Sequence, residues 1–442
     1  MKKILLQKLM VGWAAFLLPF YIQAQAQRSV VSLSQSNPSN IGWNQPSRLM
    51  PFKTKGAFTA VSIVWHQQPG FERQRFFLSF SKNGDTFEGL NLVTPDPHAQ
   101  PARDQYISQL YYIGPDYQYF MLIPLNWNAF DSIAVHFFDP GVSNTDAVEQ
   151  MPVESDQEAC PCPQPSYMGR NDWCPSGDCP PDATPQYTTA DHLIIHHSAG
   201  VNVSSDWAAV VRSIWDYHVN SNGWDDIGYN WLIDPNGVLY EGRGDGRLGA
   251  HFCGKNGGTV GVCMMGDFTD ISPTYSAIDK LVSLYSWNAC ARGIDPLGTS
   301  YHAASGGDLI NIAGHRDGCT TSCPGDAFYP LLPQVRTAIK DRIENVCFGV
   351  AGSEEETKNE MVAIFPNPTA ALLHIMVENE AVGKVDLVVM DAIGRQVGFF
   401  KGFEKNGPTG NFDLNLENLP SGMYWLKIIQ GEDFSMYKFA KQ

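Results

Sequence analysis

Basic residues are scarce in this 442-residue chain: 30 lysines and arginines stand against 46 aspartates and glutamates, a formal net charge of −16. That balance excludes nucleic acid as a partner and leaves no polybasic patch for an anionic membrane. Long hydrophobic runs are also scarce. The one clear case spans residues 9–22, preceded by Lys2, Lys3 and Lys8 and followed by Ala24-Gln25-Ala26, and it reads as a secretory signal ending near residue 26. No later stretch approaches the roughly eighteen apolar residues of a membrane-spanning helix, so no transmembrane segment is expected once the signal is removed. A His-Glu-x-x-His helix is missing as well, which argues against a zinc peptidase of that type acting on proteins.

The length predicts two or three separately cored units. Residues 53–140 carry short alternating strands with turn residues such as Lys82-Asn83-Gly84-Asp85 between them and no clear amphipathic helix, the pattern of a β-sandwich. Their aromatics invite a glycan-binding reading, although strand aromatics more often fill a core. Residues 27–51 read as an irregular lead-in and 141–165 as a linker. Strands alternating with helices over 166–347 predict an α/β domain. Its expected helices are capped by Ser204 or Ser205, begun by Ser272-Pro273, and placed near residues 334–346. Residues 348–362 form a second linker, and 363–442 return to alternating strands, a small β-sandwich. Ten cysteines in an exported chain point to disulfides. Cys160, Cys162, Cys174 and Cys179 read as two local disulfides or a zinc knuckle, and the absence of a ββα or ribbon pattern favours disulfides.

The chemistry gathers around GHRDGCTTSCPG, residues 314–325, where His315 and Cys323 lie in a turn-rich segment. Both are zinc donors, and a catalytic zinc takes three protein ligands with an open fourth position. A third donor, His196, stands at the polar end of the apolar strand Leu193-Ile194-Ile195. Taken alone, the pair also fits a surface histidine and half of a disulfide. Downstream of His196, residues 226–244 read as strand, Pro-Asn-Gly turn and strand.

With RNDW, IIHHSAG, GWDDIGYNWLID, YEGRG, GAHFCGKN, VGVCMMGDF and GHRDGCTTSCPGD in that order, the chain from about Arg170 to Val346 resembles the type-2 N-acetylmuramoyl-L-alanine amidase and peptidoglycan recognition protein family. The resemblance implies a mixed sheet, Zn2+ on His196, His315 and Cys323, and a catalytic Tyr229 assisted by Thr321. It also implies hydrolysis of the amide between N-acetylmuramic acid and L-alanine in peptidoglycan. His218, Trp224, Arg243, His251 and Asn256 occupy motif positions that line the family's groove. His251 is not expected as a fourth ligand, since a saturated zinc could not activate water. The chain departs from animal members in lacking a cysteine pair after the His-His motif, so its cysteines must pair differently. With Cys323 on the metal, nine remain, which leaves at least one further free thiol or an intermolecular bond. Cys319 is a competing donor inside the metal loop. A non-catalytic muropeptide-binding protein is the alternative, and members that only bind typically lack the metal cysteine. The last eighty or so residues, with IFPNP, DAIGRQV and LPSGMYWLKI, resemble the C-terminal sorting domain of the type IX secretion system. That implies passage through the outer membrane, with release or surface attachment.

Overall fold

The computed structural model describes residues 26–34, 51–71, 75–96, 99, 104–143, 160–347, 361–379, 381–391, 396–431 and 433–441. The expected signal segment and most of both linkers lie outside them.

Among the described residues the N-terminal unit has seven strands: β1 (Gln27–Ser34), β2 (Phe52–Gln67), β3 (Phe76–Ser81), β4 (Glu88–Leu92), β5 (Gln105–Ile107), β6 (Tyr111–Pro124) and β7 (Phe130–Asp139). They form one hydrogen-bonded sheet in the order β1-β7-β2-β6-β3-β4, with β5 added to β2, rather than the two sheets of the expected sandwich. The reason is the length of β2 and β6. Register shifts along β2 let its first half pair with β6 and its second half with β5, while β7 follows its other edge. The bend wraps a single core around Phe58, Trp65, Phe76, Phe80, Phe120, Phe130 and Phe137. Strand β1 corrects the reading of residues 27–51 as wholly irregular: residues 27–34 pair in antiparallel register with β7.

The central α/β unit holds a five-stranded sheet, β10-β9-β11-β8-β14, from β8 (His192–His197), β9 (Trp231–Ile233), β10 (Leu239–Glu241), β11 (Thr259–Met264) and β14 (Ile312–Gly314). Pairs β11·β8, β11·β9 and β14·β8 are parallel, and β10·β9 is the antiparallel hairpin expected around Pro235-Asn236-Gly237. Gly237, at φ +84°, supplies the turn conformation that other residues resist.

Helices cover both faces. Alternation along β8 sends Leu193 and Ile195 into the core beneath α3 (Tyr275–Arg292) and α4 (Leu332–Arg342). Ile194 and His196 then face the opposite side, where α2 (Trp207–Asp216) packs. The α2 cap is Asp206, whose side chain accepts from the Ala209 amide, rather than Ser204 or Ser205. Thr274 caps α3, two residues after the expected serine. A short helix α1 (Arg170–Trp173) and a hairpin of β12 (Thr299–His302) with β13 (Gly307–Ile310) complete the unit.

Four disulfides join Cys160–Cys290, Cys162–Cys347, Cys174–Cys179 and Cys253–Cys319. Only Cys174–Cys179 is local. The other two cysteines of the cluster instead fasten the entry of the domain to the end of α3 and to the turn after α4. Cys263 and Cys323 stay reduced and buried.

The C-terminal strands form a three-stranded sheet, Met361–Phe365, Leu372–Glu378 and Thr409–Asn415, and a four-stranded sheet over Gly383–Asp391, Gln396–Lys405, Gly422–Gln430 and Asp433–Lys441. One core, with Ile375, Phe412, Leu387 and Leu426, lies between them, as the sandwich pattern predicts. Among the described residues no helix is long and apolar enough to cross a membrane.

Candidate metal centre and groove

The strand register brings the donors together. Parallel pairing sets Cys263 beside His196 and Gly261 beside Ile194, and Ala313 beside Ile194 on the other edge. Period-two alternation then puts His196, Gly261 and Cys263 on one face, and His315, two residues after Ala313, follows onto it. Cys323 returns through the metal loop. Its Sγ lies 3.8 Å from His196 Nδ1, and the His196 and His315 rings are 4.5 Å apart.

One donor atom from each of His196, His315 and Cys323 lies within 4.8 Å of the others, and all three residues are buried. Tetrahedral zinc with ordinary Zn–N and Zn–S bonds separates such an N and S by about 3.5 Å, so the donor set fits that ion with little movement. The backbone amide of His197 donates to the Cys323 sulfur at 3.3 Å, which helps fix its position.

His251 sits behind this set. Its Nδ1 is 3.0 Å from His196 Nε2, and its Nε2 is 3.3 Å from Thr259 Oγ1. Burial first, and then the Arg243 charge, push its pKa down to about 3, so the ring is neutral. Thr259 Oγ1 spends its own proton on the Asn256 carbonyl, so it accepts from His251 Nε2–H. His251 Nδ1 is then the acceptor for His196 Nε2–H, which turns His196 Nδ1 toward Cys323. This arrangement, a candidate metal ligand oriented by an outer partner, was not legible in the sequence. Room for the His251 ring comes from Gly261 and Gly249, where an added Cβ would stand 2.5 Å and 2.3 Å from it.

Tyr229 lies against the centre, its ring 5.3 Å from that of His196. Burial holds its phenol well above the ordinary tyrosine range, with the Cys263, Cys323 and Asp96 charges acting in the same direction, and it is hydrogen-bonded to Cys263. The phenol is therefore a proton donor. His218 stacks on Trp224 at 4.6 Å, meets Tyr229 edge-on at 5.6 Å, and accepts from the Gly228 amide through Nδ1.

A cavity of about 580 Å³ opens over the centre, lined by Trp224, His251, Asn256, His315, Thr321 and the Cys253–Cys319 disulfide, among others. Of the expected groove residues, Trp224, His251 and Asn256 reach it. Asn256 is also structural, since its Oδ1 accepts from the amides of His251 and Phe252. Arg243 does not line the cavity, and its guanidinium donates to the carbonyls of Ile227, Leu248 and Asp226. Cys319 is held by Cys253, which removes it as a competing thiolate and ties the metal loop to the cavity wall.

A mixed sheet covered on both faces, with imidazoles from the ends of β8 and β14 meeting a loop thiol beneath a cavity, defines an α/β domain with a candidate mononuclear metal centre. Residues 186–326 match the N-acetylmuramoyl-L-alanine amidase family, and residues 363–442 match the secretion system C-terminal sorting domain. The chain is 34% identical over 146 residues to peptidoglycan recognition protein 1 of Bos indicus, covering 32% of this chain and 70% of that protein. It is 36% identical over 148 residues to peptidoglycan-recognition protein SC2 of Drosophila melanogaster, covering 32% and 74%. With the human N-acetylmuramoyl-L-alanine amidase it shares 35% identity over 138 residues, 30% of this chain but only 22% of that protein. A solved structure of a Drosophila PGRP-LB mutant in complex with tracheal cytotoxin is 27% identical over 37% of this chain and 90% of that one, with a TM-score of 0.32. The chain belongs to the N-acetylmuramoyl-L-alanine amidase and peptidoglycan recognition protein family.

Proposed function

We propose that the protein is an exported, zinc-dependent N-acetylmuramoyl-L-alanine amidase that cleaves peptidoglycan between the lactyl group of N-acetylmuramic acid and L-alanine. The observation that carries this reading is the convergence of His196, His315 and Cys323 on one point beneath a cavity, with Tyr229 against them. His196, His315 and Cys323 would hold the ion, which when bound supplies a Lewis acid and renders water acidic enough to act near neutral pH.

The remaining work falls to side chains. Tyr229, kept protonated, donates a hydrogen bond toward the carbonyl oxygen as negative charge builds on it, an interaction worth most where water is excluded. Thr321 lines the cavity, and its Oγ1 already accepts from the Cys323 amide, so its own proton is available to a carbonyl oxygen. Trp224 and Asn256 wall the space in which a muropeptide lies, and the drug-sized volume suits such a ligand. The sorting domain match supports delivery through the type IX machinery to the cell surface or medium.

Metal analysis and turnover on one preparation test this assignment. The wild-type chain is expected to carry one zinc and to release stem peptides from purified peptidoglycan. Cys323→Ser loses both, because a neutral hydroxyl replaces thiolate poorly. Full zinc in that variant overturns the ligand set, and muropeptide binding without any cleavage by the zinc-loaded wild type returns the protein to the recognition role.

A further inference from the structure

The N-terminal sheet has no assigned role, and Phe58, Trp65, Phe76, Phe80, Phe120, Phe130 and Phe137 pack in its own core. Its contacts with the α/β unit point elsewhere. Helix α2 ends in a widened π turn, Tyr217–Ser221, a conformation that is rarely stable unaided and is common beside functional sites. Within that turn two neighbouring residues serve opposite sides, and each is only 5% exposed. Tyr217 enters the N-terminal sheet, with its hydroxyl 2.6 Å from both Asp96 Oδ2 and the Ser108 carbonyl. His218 lies behind the groove wall, where it stacks on the lining residue Trp224 and meets Tyr229.

The acceptors for Tyr217 are rigidly held. The Asp96 amide donates to the Ile107 carbonyl at 2.8 Å, and Ser108 exchanges bonds with Ile63 of β2 through its amide and its hydroxyl at 2.8 and 2.9 Å. Further fastenings run along the same helix. Ser221 and Ser62 hydroxyls meet at 2.7 Å, Arg28 of β1 pairs with Asp216, and the Arg212 guanidinium donates to the carbonyls of Pro140 and Gly141. At the other end, the Ser143 amide donates to Asp206, the α2 cap, at 2.8 Å. Leu110 and Tyr112 add apolar contact to the cluster that contains Tyr229. A helix held from its cap to its last turn cannot shift without moving His218.

We propose that the N-terminal sheet is a brace for the groove, and that Tyr217 is the positioning residue through which it fixes His218, Trp224 and Tyr229. This deepens the amidase reading and rests on it for its kinetic consequence, but the positioning itself has a readout independent of turnover. The Gly228 amide, which donates to His218 Nδ1 at 3.1 Å, reports whether His218 is in place.

The experiment uses the full mature chain with Tyr217→Phe, which keeps the ring, and Asp96→Asn, which alters the same bond from the other unit. Hydrogen exchange of the segment containing Gly228 is expected to quicken on the order of tenfold in both variants, at temperatures well below unfolding. Turnover is expected to fall roughly tenfold or more, because small misplacements far from the reacting atoms carry large kinetic penalties, with KM and zinc content little changed. Unchanged exchange at Gly228 in both variants, or a lowered melting temperature with normal exchange and kcat, overturns the brace and leaves Tyr217 a purely structural contact. A wild type with no amidase activity but with the expected exchange response removes the amidase reading and keeps the brace. Should Tyr217→Phe fail to fold, Asp96→Asn decides the question alone.

Discussion

Tyr229 carries the sharpest single-residue expectation, because its phenol is protonated, buried and placed against His196. Tyr229→Phe removes one donor and keeps the packing ring, so turnover should fall roughly 10²- to 10³-fold, about 3 to 4 kcal/mol, while zinc content measured on the same sample stays at one. Unaffected turnover would shift the donor role to Thr321. His251 gives a contrasting expectation. His251→Ala removes the acceptor that orients His196, and competition with a chromophoric chelator should reveal a loss of roughly 10- to 100-fold in zinc affinity. The three candidate ligands were legible in the sequence through the ordered motifs that carry the family resemblance, since donor chemistry and the strand-end placement of His196 alone left a second reading open. The part played by His251 was not, since only the folded register sets it behind β8. A weak signal existed: a glycine at position 261 inside a buried apolar strand marks a close approach, and His251 is what approaches.

At the level of elements, β11 is the strand whose side-chain sizes decide the site's depth. Gly261→Ala drives a methyl into the His251 ring, where the added carbon would lie 2.5 Å away. Overpacking of this kind costs about 1 to 3 kcal/mol, and thermal unfolding with and without zinc should reveal both a lower melting temperature and a smaller stabilisation by the metal. The Cys253–Cys319 bridge ties two loops 66 residues apart in sequence. Replacing both cysteines by serine should cost about 2 to 5 kcal/mol of stability in denaturant titrations yet leave one zinc bound if, as proposed, Cys323 is the thiolate donor. Loss of the metal in that double variant would assign the bridge a direct part in shaping the centre. The hairpin β9–β10 was readable from its turn chemistry, and α2 and α3 from their apolar spacing. Their caps were not, since Ser204, Ser205 and Asp206 are all competent and only the Ala209 amide selects among them. Strand β1 escaped notice for a different reason: it lies at a sheet edge, its side chains mostly exposed or half-buried, so little apolar alternation marks it.

Across the whole molecule, composition marked the division into β, α/β and β units, whereas contacts between units left no trace in it. The fastening of α2 to the N-terminal sheet depends on polar side chains such as Asp96 and Tyr217, which in sequence look like ordinary loop and helix residues. The long-range disulfides Cys160–Cys290 and Cys162–Cys347 were hidden in the same way, because cysteine spacing does not encode connectivity. If the C-terminal unit serves export, intact-mass measurement of protein recovered outside the native cells should give a chain ending between residues 352 and 363; a mass that includes Lys441 and Gln442 would count against removal of the tail. The central claim, that the His196, His315 and Cys323 centre opens the lactyl amide, is tested most directly by mass analysis of purified peptidoglycan after incubation with the protein. The account predicts stem peptides bearing a free L-alanine amino terminus alongside glycan with intact lactyl groups, abolished by a chelator and restored by zinc. Cleavage at another bond, or the same products at undiminished rate in chelator, would contradict it.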